Sequence, residues 1–208
     1  MNIYNNIIKR SIDFLFALVC LFALLPLFFL LAIAIKIDSR GPVFYRALRG
    51  GYRDIPFEIF KFRTMIVNAD KIGGSTTALN DSRITKVGKT LRKTKLDEIP
   101  QLINIIKGDM SFVGPRPEIL AYTSKYTPEE KRILSVRPGI TDISSLKYIS
   151  LDEVVGSLNA DEYYEKYVFH DKNRLRLEYV DKQSFLLDAR LFLKTALKVV
   201  RQVVKIFV

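Results

Sequence analysis

The run from Phe14 to Ile35 constrains this chain more than any other feature. It is 22 residues long, with no charge and no hydrogen-bonding side chain except the thiol of Cys20. As one helix it measures about 33 Å, enough to cross a hydrocarbon core of roughly 30 Å. A soluble helix keeps one polar face, and this run has none. It is also longer than a secretory signal core, and Lys36-Ile37-Asp38 follows it where a cleavage site would show small residues. Insertion into a membrane follows. Pro26 lies near the middle, where it removes a backbone donor and crowds the preceding turn, so a kink or break is expected there. Lys9 and Arg10 precede the run; Lys36, Arg40, Arg46, Arg49 and Arg53 follow it. A spanning helix carries its positive flank mainly on one side. Basic flanks at both ends with a central proline fit a re-entrant helix whose two ends lie in the cytoplasm; a kinked spanning helix fits the local pattern equally well.

A second membrane pattern closes the chain. From Ser184 onward, Arg190, Lys194, Lys198, Arg201 and Lys205 recur every three or four residues, while Leu191, Leu193, Leu197, Val200, Val204 and Phe207 fall largely off that stripe. This describes a basic amphipathic helix lying in a membrane interface; the alternative is a core-packing helix with a solvated basic face. The division is therefore a membrane helix over 1–39, a catalytic domain over 40–183 and an amphipathic helix over 184–208. Strand patterns are sparse, so the fold class is mainly α with a small β element.

Charge narrows the partners. Lys and Arg number 33 against 22 Asp and Glu, a formal charge of +11, which suits a polyanion: nucleic acid, an anionic membrane or a phosphorylated substrate. With one cysteine, Cys20, there is no intrachain disulfide. With one histidine, His170, a His-based metal site or a Ser-His-Asp triad is not expected.

Within 40–183, Arg49-Gly50-Gly51-Tyr52 reads as a turn, Phe57–Arg63 as an aromatic strand, Asn68–Asp81 as a loop and Ile84–Lys95 as a basic helix. Leu96-Asp97-Glu98-Ile99-Pro100 followed by an apolar run to Lys107-Gly108 marks a helix from start to stop, with Asp97 and Glu98 at or just before its N-terminus. Thr127-Pro128-Glu129-Glu130 and Ser150-Leu151-Asp152-Glu153 have capping-box spacing.

Four clusters carry chemistry: Lys61–Met65, Arg92 with Asp97-Glu98, Pro115-Arg116-Pro117 and Arg137-Pro138-Gly139. Each alone has an ordinary reading, as a helix cap or a solvated loop arginine. Together they are chemically coherent. Arginines supply forked donors for phosphate oxygens, a helix start favours anions, and a carboxylate can hold Mg²⁺ against a diphosphate or attack phosphorus itself.

The same clusters resemble the bacterial sugar transferases, the small monotopic phosphoglycosyl transferases. The resemblance runs from Lys9-Arg10 to about Lys147. It is strongest over Leu91-Arg92, Leu96 to Leu102, and Gly108-Asp109-Met110-Ser111-Phe112-Val113-Gly114-Pro115-Arg116-Pro117-Glu118; Lys61–Met65 and Arg137–Thr141 agree as well. It implies a re-entrant membrane helix, a nucleophilic aspartate at Asp97 with Glu98 completing the dyad, and Mg²⁺ held at Asp97 and Glu98. It further implies a UDP-sugar donor, a polyprenyl (undecaprenyl) phosphate acceptor, and phosphate-binding roles for Arg92, Arg116, Arg137 and, more weakly, Lys61. Two departures stand out. Leu25-Pro26 occupies the bend where many members have Ser-Pro, and no Trp follows Arg137-Pro138-Gly139, so the donor sugar stays open.

The expected activity is transfer of a sugar 1-phosphate to polyprenyl phosphate with release of UMP, an initiating step of glycan assembly on the cytoplasmic face of a bacterial inner membrane. Membrane lipids are expected partners; nucleic acid is not, since no zinc-finger spacing or RNA-binding aromatic motif is present. The rivals are a basic membrane-anchored adaptor without catalysis, and an inverting glycosyltransferase that releases UDP.

Overall fold

The computed structural model describes residues 7–74, 76, 77, 81–156 and 159–207. The N-terminal helix α1 spans Lys9–Asp38 and runs through Pro26 as one element. The expected break at Pro26 is therefore not a departure from helical structure: a proline forfeits one backbone hydrogen bond, and a long helix packed along its length absorbs that loss. Packing is one-sided. Asp13, Ala17, Cys20, Leu21, Leu24, Phe28, Leu31 and Ile35, three or four residues apart, face the rest of the protein. Leu15, Val19, Phe22, Leu25, Phe29, Leu30 and Ile33 point outward and are exposed.

Both ends of α1 are tied to the same body. At the start, Lys9 pairs with buried Asp188, Arg10 donates to the carbonyls of Ile105 and Ile106, and Asp13 accepts from the Phe112 amide at 3.4 Å. At the finish, buried Arg63 caps the last turn, donating to the Ser39 carbonyl at 2.7 Å and to the Arg40 carbonyl, while Asp38 accepts from the Val87 amide at 3.0 Å.

Strands β1 (Phe44–Arg49) and β2 (Phe57–Phe62) form the aromatic hairpin, with Tyr45 opposite Lys61. Helix α2 (Lys86–Thr94) starts where Thr85 accepts from the Gly88 amide at 3.0 Å. It ends at Lys95, which adopts the left-handed conformation at φ 59°. A single 3₁₀ turn, Leu96–Glu98, leads into α3 (Gln101–Lys107), and Gly108 closes α3 at φ 96°. Alternation places Phe57, Ile59 and Lys61 on one face of β2. Phe57 and Ile59 pack against α1 and α3, so Lys61 is delivered to the inner side as well. Fully buried Asn104 latches α3 to β2, accepting from the Phe60 amide at 2.9 Å and donating to the Glu58 carbonyl at 2.7 Å.

Two short parallel strands, β3 (Ser111–Val113) and β4 (Gly139–Thr141), bring the Pro115-Arg116-Pro117 and Arg137-Pro138-Gly139 motifs together. The approach is too close for side chains: a Cβ on Gly139 would lie 2.1 Å from the Gly114 amide nitrogen. The Asn68–Asp81 loop contains one short helix, Ala69–Ile72. The capping box at Thr127 forms in both directions, Thr127 amide to Glu130 at 2.9 Å and Glu130 amide to Thr127 at 3.2 Å, and opens a 3₁₀ helix over Glu130–Ser135. A helix also begins after Ser150, at Leu151–Val155; the side chains of Asp152 and Glu153, which would complete its box, lie outside the described set. His170 is an exposed surface residue beside Glu130, and Cys20 is a free thiol packed on the core cluster under α1.

Helix α4 (Phe169–Lys182) follows a helical turn sequence from Ala160, and α5 (Phe185–Phe207) ends the described chain. Helix α5 has two apolar faces. Leu187, Leu191 and Phe192 pack on Val113, Tyr179, Ile143 and Leu146, and Phe192 meets Phe16 of α1 at a ring separation of 5.7 Å. Leu186, Leu193, Leu197, Val200 and Val204 form a separate, exposed stripe; the side chains of Lys205 and Phe207 lie outside the described set. The core-packing and interfacial readings of this helix thus fall on different faces of it.

Candidate active site

The dyad sits in the 3₁₀ turn between α2 and α3, and its two carboxylates have different surroundings. Glu98 is saturated. Its Oε1 accepts from Lys61 Nζ at 3.0 Å, and Arg116 forks onto both oxygens, one bond measuring 3.1 Å. Arg116 is itself fixed: its side chain donates to the Ile140 carbonyl at 2.9 Å and its amide to Asp142 at 3.2 Å. Burial alone would raise the Glu98 carboxyl, but Arg116 and Lys61 outweigh it and hold the group well below the ordinary carboxylate range.

Asp97 is buried, and its Oδ1 has no hydrogen-bond partner among the described residues. Burial pushes its pKa up, reinforced by the charge of Glu98 and opposed by Lys61, Arg92 and Lys95. A buried carboxylate oxygen without a hydrogen-bond partner, inside a ring of cations, has the chemistry to meet an electrophile or a cation that brings its own anionic ligands. Lys61 is pushed down by burial and held up mainly by Glu98.

A divalent ion can be tested against this donor set. Among the described residues no group of three acidic, His or Cys side chains converges. Mg²⁺ needs only one or two carboxylates when substrate phosphates complete its octahedron, and the unpartnered Oδ1 of Asp97 fits that donor chemistry. Glu98 fits it only where it shares an oxygen with Lys61 and Arg116.

The structure brings Lys61, Asp97, Glu98 and Arg116 together. Arg92 stands beside them: its charge acts on Asp97, while its guanidinium donates to the hydroxyls of Thr64 at 3.3 Å and Thr77 at 2.7 Å. Arg137 lies at the opposite end of α3, donating to the Gly108 carbonyl at 3.1 Å with its guanidinium 5.0 Å from the Tyr52 ring centre. Sequence reading missed Asp142, a fully buried carboxylate that accepts from Ser144, from the Ser145 amide and hydroxyl, and from the Arg116 amide. The Asp-x-x-Ser spacing of a helix cap at Asp142–Ser145 is the trace it left.

A long apolar helix carried beside an enclosed acidic pair ringed by cations is the arrangement of a membrane-associated enzyme. A family model described as "Bacterial sugar transferase" matches residues 4–202, and the chain belongs to that family. A Bacillus subtilis protein named "Uncharacterized sugar transferase EpsL" is 36% identical over 195 residues, covering 93% of this chain and 87% of its own length. The "UDP-glucose:undecaprenyl-phosphate glucose-1-phosphate transferase" of Escherichia coli is 35% identical over 93% of this chain, which spans only 40% of that protein. The "UDP-N-acetylgalactosamine-undecaprenyl-phosphate N-acetylgalactosaminephosphotransferase" of Aeromonas hydrophila is 34% identical over 90% of this chain and 42% of its own.

Proposed function

We propose that this chain transfers a sugar 1-phosphate from a UDP-sugar to a polyprenyl phosphate such as undecaprenyl phosphate, releasing UMP and forming a polyprenyl diphosphate sugar. The observation that carries the reading is the asymmetry of the dyad: Glu98 is held by Lys61 and Arg116, while Asp97 Oδ1 has no hydrogen-bond partner among the described residues. An Asp97 oxygen attacks the sugar-linked phosphorus, and the bond from that phosphorus to the bridging oxygen breaks, so UMP leaves with the electron pair. A phosphate oxygen of the polyprenyl phosphate then attacks the same phosphorus, the bond to Asp97 breaks, and the carboxylate is restored. Lys61, Arg92 and Arg116 offset charge on the oxygens around phosphorus in both steps. Mg²⁺, when bound at Asp97 with Glu98 beside it, would neutralise the donor's diphosphate. The relatives' names cite different sugars, so no particular sugar is assigned.

Membrane placement supports the same reading. Both ends of α1 dock on the domain that carries the dyad, which supports placing both on the same side of the membrane. The outward stripe of α5, flanked by Arg190, Lys194 and Arg201, suits the interface beside it. Together these features support a dyad that works on the cytoplasmic face of the inner membrane, where the two substrates meet.

The test uses donor without acceptor. Wild-type protein incubated with UDP-glucose or UDP-N-acetylgalactosamine should release UMP up to one equivalent and gain a sugar-phosphate mass on the peptide containing Asp97. UMP release that strictly requires polyprenyl phosphate, with no adduct, would indicate direct transfer and reduce Asp97 to a metal ligand. Release of UDP would identify a glycosyltransferase, and release of neither nucleotide would favour the adaptor.

A further inference from the structure

The end of α3 remote from the dyad gathers cations. Arg10 donates to the Ile105 and Ile106 carbonyls, and Arg137 Nε donates to the Gly108 carbonyl at 3.1 Å. Lys107 lies in the same turn and pairs with Asp109 at 3.4 Å. Two aromatic rings carry the patch from there onto the β1–β2 hairpin. Lys107 and Arg46 lie 5.6 Å and 4.9 Å from the Phe60 ring centre. Arg137 and Arg53 lie 5.0 Å and 4.9 Å from the Tyr52 ring centre. Cations at a helix C-terminus ordinarily cap its carbonyls, which accounts for Arg10 and for the Nε of Arg137. The rest is not accounted for. The terminal nitrogens of the Arg137 guanidinium have no hydrogen-bond partner among the described residues, and Arg46, Arg53 and Arg137 have no ion pair there. Arg53 also holds a left-handed backbone at φ 59°, a conformation that favours glycine.

The position of the patch selects its partner. Arg10 belongs to α1, and its guanidinium lies 5.6 Å from the ring centre of Phe14, where the apolar run begins. Once α1 is seated in a bilayer, the patch borders the headgroup layer. Tyrosine suits that layer because its ring is apolar at one end and polar at the other. The arginine fork matches the oxygens of a phosphodiester. The seven residues of α3, about 10 Å of helix, separate the patch from the dyad. We infer that Arg46, Arg53 and Arg137, arranged around Phe60 and Tyr52, form a docking surface for the phosphate of an anionic glycerophospholipid such as phosphatidylglycerol. That lipid is a bystander and not a substrate. It pins the hairpin that delivers Lys61 against the headgroups. The inference rests on the seating of α1 in a bilayer and not on the proposed reaction, so either can fail without the other.

The chain contains no tryptophan, so Tyr52→Trp supplies a single fluorescent reporter that keeps an aromatic face for the cations. The full chain carrying it is placed in nanodiscs of phosphatidylcholine and phosphatidylglycerol at equal mole fractions. Bromine, a quencher, is carried near the headgroup end of the acyl chains of one lipid or the other. Brominated phosphatidylglycerol should quench more strongly, corresponding to a local enrichment of about fivefold or more at low salt that shrinks as salt rises. Arg46→Gln with Arg53→Gln removes two exposed cations that contact only rings, so the fold is kept. That pair should cut the enrichment below about twofold, and Arg137→Gln alone should lower it as well. Lys194→Gln with Arg201→Gln, on α5, should leave it unchanged. Equal quenching by both lipids, quenching by neither, or undiminished enrichment in the Arg46 and Arg53 variant would overturn the inference. So would an equal loss in the α5 variant, which would mark a general attraction of charge. Enrichment abolished by UDP-glucose would assign the patch to the sugar-nucleotide donor and overturn it too.

Discussion

Two enclosed carboxylates, Asp97 and Glu118, differ in what surrounds them, and the difference separates the acid proposed to react from one that holds the same small domain together. Glu118 accepts from Arg176 at 2.7 Å, from Lys172 at 3.4 Å and from the Tyr164 hydroxyl. Burial alone would raise it, but those partners hold its pKa at about 2. The cluster ties the loop carrying Arg116 to α4. Asp97 is buried too, yet its cations act on it through space while its Oδ1 has no hydrogen-bond partner among the described residues. Direct donors on its carboxylate make Glu118 part of the scaffold; the absence of a partner on Asp97 Oδ1 among the described residues is what supports the chemistry proposed for it.

The comparison breaks most visibly on substitution. Asp97→Asn should lower UMP release by on the order of 10³ or more while leaving the thermal midpoint unchanged or higher, since a charge without a hydrogen-bond partner is removed. Glu118→Gln should do the reverse, costing about 3 kcal/mol of stability because Lys172 and Arg176 remain buried without their anion. An Asp97→Asn protein that unfolds, or a Glu118→Gln protein as stable as wild type, would erase the distinction.

Acid sharpens the same contrast. Glu118 has a pKa depressed from 4.5 to about 2. Its contribution is therefore complete above about pH 4.5 and is lost as pH falls toward about pH 2. Thermal midpoints measured across that window should fall steeply in wild type and less steeply in Glu118→Gln. Parallel curves would mean that the cluster does not supply the stability assigned to it.

The smallest effect concerns the outward stripe of α5. A nitroxide at Leu197→Cys, in a Cys20→Ala background, should report immersion in anionic bilayers. Replacing Lys194 and Arg201 with Gln should weaken that preference by about 1 kcal/mol per charge, and more so at low salt. A water-exposed label in every bilayer would leave α5 with its core-facing role alone.

Much of this could be read from residue spacing. The apolar run, the helix start at Asp97-Glu98, the aromatic strand that delivers Lys61 and the capping box at Thr127 are local patterns, and local physics decides them. Arg116 was legible only as one of several arginines beside proline. Its contact with Glu98 depends on β3 and β4 lying side by side, which no spacing reveals. Arg137 shows the opposite outcome, since the same dipeptide context places its guanidinium on the Gly108 carbonyl and the Tyr52 ring. Helix α4 was opaque for a related reason. Lys172, Asn173 and Arg176 look like a solvated face in one dimension, yet all three are buried, because Glu118 waits for Arg176 from 58 residues earlier in the chain. At Pro26 proline chemistry predicts a kink or a break; the helix continues through it, packed along one face of α1.

The anchoring of α1 at both ends has a mechanical consequence. A helix held at Lys9 by Asp188 and at Ser39 by Arg63 cannot tilt or sink without carrying the dyad with it. Once its outer face is seated among acyl chains, the height of Asp97 above the headgroups is set by the protein's own geometry. On the proposed reaction, the helix would then act as a depth gauge, and a lipid phosphate would have to rise or bend to a level that the protein has already chosen.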